Sequence, residues 1–223
     1  MMGSTVQEAD EQDLSLPGQI ARVLGERIVA GVMKPGEPVR QDRIAAEFRT
    51  SHVPVREAFR QLEVQGYLVS APRRGVRVAP LDPASVMEVT EMRAALEALA
   101  LRHALPHLSQ EALAEAEAAI AEGEASGDLA VWERANRRFH RALTAPCGLP
   151  RLMRTIDELH RASARLLLST WTELDWQQRS DEEHRAVLSA VRNGDPDRAT
   201  ELLQEHILAA GRALAALLRP KGG

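Results

Sequence analysis

Thr50-Ser-His-Val-Pro-Val-Arg-Glu-Ala-Phe-Arg-Gln-Leu-Glu-Val-Gln-Gly66 is the stretch whose reading decides the fold. Ser51 can cap a helix by accepting a hydrogen bond from an orphan backbone N–H, and Pro54 fits the first turn, where its missing donor costs little. Val55, Phe59 and Leu62 then recur at i, i+4 and i+7, which predicts one buried face, and Gly66 supplies a left-handed stop. Arg56 and Arg60 fall on another face. A short helix presented N-terminus first, carrying small polar groups and arginines, is what a major groove admits.

The flanking residues fit a DNA-reading head. Upstream, Ile20, Val23, Leu24 and Ile28 form an amphipathic stripe over Gln19–Ala30 that Gly31 closes. Lys34-Pro-Gly-Glu-Pro38 reads as a loop, and Arg40–Phe48 as a second short helix with Ile44, Ala45 and Phe48 inward. Downstream, Tyr67–Ser70 and Val76–Ala79 are short strand candidates joined by the basic turn Ala71-Pro-Arg-Arg-Gly75. Three helices and a basic hairpin make a winged helix-turn-helix over 17–80. Ser51 and His52 sit where the helix N-terminus would meet phosphate or a base edge. Arg56 and Arg60 would contact bases or phosphate, while Arg73, Arg74 and Arg77 would place the wing on the DNA backbone or in the minor groove.

Charge supports that division. The whole chain of 223 residues carries a formal net charge of −4, which looks wrong for a nucleic-acid binder until it is partitioned. Residues 1–16 hold four acids and no base, and read as a disordered tail; residues 17–80 hold 11 Lys/Arg against 6 Asp/Glu; residues 81–223 hold 17 against 22. The basic excess sits in the segment with the groove-reading helix. No apolar run approaches the ~20 residues of a membrane span, and the N-terminus lacks a secretory pattern. Cys147 stands alone, so no intramolecular disulfide is possible and a reducing cytoplasm is expected.

From Leu81-Asp-Pro83 onward the pattern is helical. Breaks near Pro106–Ser109, Ser126–Asp128, Cys147–Pro150, Thr172–Asp175 and Asn193–Pro196 cut it into about six helices, a packed all-α bundle. The molecule is therefore expected to be mostly α, a winged helix-turn-helix followed by a helical domain over 81–219. Within the bundle, Asn136 and His140 share a helix face at i, i+4, His184 lies in a later helix and His206 in the last. Three imidazoles and one oxygen donor from facing helices can bind a divalent transition metal while leaving coordination positions open. Zinc is the expected ion, with nickel, manganese and iron as alternatives. Ser180, one turn before His184, could hydrogen-bond a ligand, and Trp171 and Trp176 could wall its pocket.

Lys34-Pro-Gly-Glu, Ser51-x-x-Pro-Val-Arg-Glu-Ala58, Leu62-Glu-x-x-Gly-Tyr-Leu68 and Arg74-Gly-x-x-Val78 together resemble the GntR-type winged-helix regulators. The helical remainder resembles the FadR-like effector domain, the FCD type, in its six-helix form, and the likeness spans roughly 17–218. It implies a dimeric repressor released from a double-stranded operator by a small carboxylate or sugar acid bound beside a metal. Asn136-Arg-Arg-Phe-His140, Glu183-His-Arg-Ala-Val-Leu188 and Glu205-His206-Ile are similar to the family's metal pattern, with Asn in place of its Asp. By the same resemblance Arg93 would hold the effector's carboxylate, its alternative being a buried ion pair with a bundle glutamate. His52 and Val53 stand where the family usually has arginine and threonine. A metal-sensing regulator and a helical metallohydrolase are the competing readings. Against the latter, the chain has no His-Glu-x-x-His and no nucleophile motif.

Overall fold

Ser15 opens the first helix by accepting a hydrogen bond from the Gly18 amide at 3.2 Å. That bond and Pro17 in the first turn start α1 (Leu16–Val29) three residues before the expected Gln19 and just inside the expected tail. The structure, a computed structural model, describes residues 15–29, 31–71, 75–80, 82–170 and 177–218. The expected tail therefore lies almost wholly outside the described residues. The chain divides into two compact units, Met1–Leu81 and Asp82–Gly223.

In the first unit, α1 is followed by α2 (Gln41–Glu47) and α3 (His52–Val64). Ile20, Leu24, Ile44, Val55, Phe59 and Leu62 are buried together, as the stripes predict. Each such side chain contributes about 1.5–3 kcal/mol relative to leaving it exposed. Gly66 takes φ 74°, the left-handed stop expected after α3. Ser51 occupies the N-cap position of α3 with extended backbone angles, but its side chain makes no capping bond, contrary to expectation. Its hydroxyl remains exposed at the helix start.

The wing is larger than the sequence suggested. Beside β2 (Leu68–Ala71) and β3 (Gly75–Val78) stands a third strand, β1 (Pro38–Val39), from the end of the expected loop. The strand order is β1-β3-β2, all antiparallel. Pro38 is tolerated because β1 is an edge strand, and the buried Val39, paired with Val76, holds it there.

The second unit runs α4 (Pro83–Ala104), α5 (Gln110–Ala125), α6 (Leu129–Thr144), α7 (Pro150–Thr170), α8 (Gln177–Arg192) and α9 (Pro196–Leu217). Asp82, Ser109, Asp128 and Asp195 each accept a hydrogen bond from a first-turn amide at 2.7–3.2 Å, at the expected breaks. The expected break at 172–175 lies outside the described residues. Leu101, Phe139, Leu143, Val187, Leu203 and Ile207 pack as the core. Where α4 meets α9, a Cβ added to Gly211 would overlap the Thr90 side chain, so only glycine allows that approach. No helix among the described residues is long and apolar enough to cross a membrane.

Candidate functional site

Amphipathicity turns three bundle helices so that their imidazoles meet. His140 follows Phe139 on the buried face of α6, His184 precedes Val187 on α8, and His206 precedes Ile207 on α9. One ring nitrogen from each lies within 4.8 Å of those of the other two, and all three residues are buried. His184 Nε2 and His206 Nε2 are 3.0 Å apart. Phe139 stacks on His184 with ring centroids 4.1 Å apart, fixing that ring's plane. Asn136 lies half-buried one turn before His140 on α6.

A second cluster shares His140. Glu97, fully buried on α4, accepts a hydrogen bond from Arg93 Nε at 2.9 Å and lies 3.1 Å from His160 Nε2. Its other oxygen, Oε2, is 2.7 Å from His140 Nδ1. That oxygen sits off the direction of the ring N–H, so neither atom has a properly directed partner. Burial opposes the charge on Glu97, yet Arg93, His160 and His140 together hold its carboxyl well below the usual range. Burial pushes His140 down to about 3, pushes His184 well below the ordinary imidazole range, and lowers His160. The cluster is thus an ionised Arg93–Glu97 pair among neutral imidazoles, the protonation state in which ring nitrogens offer lone pairs.

Arg93 therefore makes the buried pair with a bundle glutamate, the alternative given above for this residue, through Nε. Among the described residues no partner is found for its Nη groups. The Ser180 hydroxyl is fully buried one turn before His184 and has no hydrogen-bond partner among the described residues. Trp171 and Trp176 lie outside the described residues. A groove of about 380 Å³ is lined by Arg134, Arg137, Arg138, Arg141, Asp157 and Arg161. Arg137 also opposes protonation of His160 and Glu133, so the groove's positive field reaches the buried cluster.

The sequence pattern singles out neither His160 nor Glu97, which it leaves as an unspecified bundle glutamate. The available signals were modest: Arg93 and Glu97 at i, i+4, and His160 one turn after the buried Ile156. Neither says which helix faces which.

In the first unit, Ser51, His52, Arg56 and Arg60 are all exposed, Ser51 just before α3 and the others along its first three turns. His52 Nε2 approaches Asp42 Oδ1 at 3.5 Å, and Arg60 Nη1 approaches Glu57 Oε2 at 3.9 Å, both loose and solvent-facing. Val53 is 71% exposed, an apolar side chain presented beside these polar ones. Arg77, on β3, is half-buried and donates from Nη1 to the Gly36 carbonyl at 2.9 Å, which commits part of its fork to the loop. Arg73 and Arg74 lie outside the described residues.

A winged helix-turn-helix joined to an all-helical domain defines a class of DNA-binding regulators rather than enzymes. Residues 16–78 match the family described as "Bacterial regulatory proteins, gntR family", and residues 88–209 match the "FCD domain". The chain belongs to the GntR family, with an FCD domain, and is a DNA-binding transcriptional regulator of that family. It is 32% identical over 200 residues to the "Probable D-xylose utilization operon transcriptional repressor" of Paenarthrobacter nicotinovorans, covering 87% of each chain. It is 28% identical over 227 residues to the "Galactonate operon transcriptional repressor" of Escherichia coli K12, covering 90% of this chain and 97% of that one. The solved structure of E. coli McbR/YncC shares the fold, with a TM-score of 0.75 at 23% identity over 92% of this chain and 99% of that one.

Proposed function

We propose that this regulator is a repressor that acts as a homodimer in the cytoplasm and leaves its operator when a small carboxylate or sugar acid binds beside a divalent metal in the helical domain. The observation that carries the reading is the buried trio His140, His184 and His206, with two Nε2 atoms 3.0 Å apart and the Ser180 hydroxyl one turn away, without a partner among the described residues. The donor set fits a divalent ion: imidazole nitrogens, enclosed, drawn from three helices and fewer than a closed shell. Bound there, the ion would supply a Lewis-acidic anchor with positions left for an effector oxygen.

The chain's own groups do the rest. Arg93 keeps Nε on Glu97 and offers its Nη edge to a carboxylate, while Ser180 offers a hydroxyl to a second effector oxygen. The arginine groove attracts anions toward the cluster. A sugar-acid effector is favoured by the likeness to a galactonate operon repressor. On the DNA side, Ser51, His52, Arg56 and Arg60 present donors at the start of α3 for base edges and phosphate. The effector acts because it binds the DNA-free form more tightly than the bound one.

The reading is tested by a thermal-shift panel of small carboxylates, hydroxy acids and sugar acids on metal-stripped protein and on protein reloaded with zinc or nickel. One acid class should raise the melting temperature only when metal is present. An acid that shifts a His140→Ala, His184→Ala protein as much as wild type would remove the metal from the effector site. A shift with metal alone, and with no acid, would make the protein a metal sensor.

A further inference from the structure

Two Arg-x-x-x-Glu pairs stand behind the histidine trio. On α4, Arg93 Nε donates to Glu97 Oε1 at 2.9 Å, and Glu97 Oε2 lies 2.7 Å from His140 Nδ1. On α8, Arg179 Nε donates to Glu183 Oε1 at 2.8 Å, and Glu183 Oε2 lies 2.8 Å from His206 Nδ1. In both, one carboxylate oxygen is fastened to a guanidinium four residues earlier, and the other turns to the Nδ1 nitrogen of a trio histidine. The two arrangements come from different helices and serve different histidines.

We propose that Glu97 and Glu183 are positioning residues for a cation held by His140, His184 and His206, each fixing the ring orientation and tautomer of the histidine it backs. The proposal rests on the metal reading given above and deepens it. A carboxylate at Nδ1 keeps the ring proton there, so Nε2 presents its lone pair, and it raises the basicity of that nitrogen. Asn136, one turn before His140 on α6, is a neutral amide.

Glu97, His140 and His160 also lie close enough to be a ligand set themselves. The guanidinium of Arg93, 2.9 Å from Glu97, argues against a second cation there, because the carboxylate is already neutralised at close range. His160, 3.1 Å from Glu97 Oε1, instead helps to fix the carboxylate.

The experiment uses the full chain, stripped of metal and titrated with Co2+ alone against a competing chelator, with the visible bands recorded. Wild type should take up one equivalent. Glu183→Gln and Glu97→Gln should keep that stoichiometry, bind about 10- to 100-fold more weakly and show shifted band positions. Glu183 is partly exposed, so Glu183→Gln keeps the test informative if the buried Glu97→Gln protein does not fold. An unchanged metal-free melting curve together with moved bands separates donor tuning from general damage. Folded variants that bind as tightly as wild type with unmoved bands would overturn the proposal. So would a second equivalent in wild type that Glu97→Gln deletes, since Glu97 would then be a ligand. If wild type itself takes up no cobalt, the metal reading fails first, and that failure is recognisable because it needs no variant.

Discussion

His184 Nε2 and His206 Nε2 lie 3.0 Å apart inside the helical domain, two basic nitrogens sharing a space that accommodates one proton. Glu183 Oε2 lies 2.8 Å from His206 Nδ1, so a proton at that nitrogen would leave His206 Nε2 to accept from His184. A divalent ion bound there would replace that arrangement with attraction to both lone pairs. His184→Ala should therefore abolish metal retention, read by elemental analysis of purified protein. Wild-type protein should lose thermal stability on chelation, by about 2.7 kcal/mol if metal had been present at roughly 100 times its dissociation constant. Equal metal content in wild type and variant would exclude His184 from the site.

The metal-free protein should be acid-sensitive in a definite window. Burial lowers His140, His160 and His184, so these rings stay neutral in the folded state while their unfolded counterparts take up protons below about pH 6.5. The unfolded state then binds more protons, and stability falls as pH drops. The limiting slope is about 1.4 kcal/mol per pH unit for each histidine. Glu133 and Asp181, whose carboxyls burial pushes up, act in the opposite sense and reduce the slope. Urea unfolding at pH 7.5 and 5.5 measures it; equal stability at the two values would mean the histidines are not held neutral.

Arg93 and Glu97 predict a non-additive pair. Arg93→Ala leaves an ionised carboxylate in the core and should destabilise by about 3–5 kcal/mol. Adding Glu97→Gln should recover much of that loss, because the buried charge goes with its partner. Denaturant unfolding of the two single variants and the double variant checks the cycle; strict additivity would contradict the pairing.

On the DNA side, Arg56 is exposed on α3 and touches none of the core. Arg56→Ala should weaken binding by about 1–3 kcal/mol without altering the circular dichroism spectrum. The measurement is fluorescence anisotropy with a duplex selected by the wild-type protein from a random pool. Unchanged affinity would take Arg56 out of the interface.

Gly211→Ala should destabilise the helical domain by about 1–3 kcal/mol, because its methyl would overlap Thr90 and the surrounding helices cannot yield freely. Thermal melting of the variant reads this directly.

Much of this was legible in the residues, and the exceptions have physical reasons. Val55, Phe59 and Leu62 announced α3 because helical period and burial coincide there. Asp82-Pro83 and Asp195-Pro196 announced helix starts because caps are local chemistry. His140, His184 and His206 were found because their types are rare and each sits on an apolar helix face. The partnership of Glu97 with His160 was not visible, since i, i+4 spacing fixes a face but not the helix opposite it. β1 escaped because two residues have no readable alternation, and its existence depends on Val39 meeting Val76 across 37 positions of chain. The missing Ser51 cap bond shows that a capping residue type does not guarantee the rotamer.

The third strand also bears on how the protein meets DNA. Val78 N donates to Glu37 O and Gly36 N donates to Val78 O, each at 2.9 Å, while Arg77 grips the Gly36 carbonyl. The base of the wing is thus laced to the segment that leads into α2 before any duplex arrives. Little conformational entropy remains to be surrendered there on association. Heat-capacity change on operator binding should accordingly reflect surface burial, with little contribution from folding of the wing base.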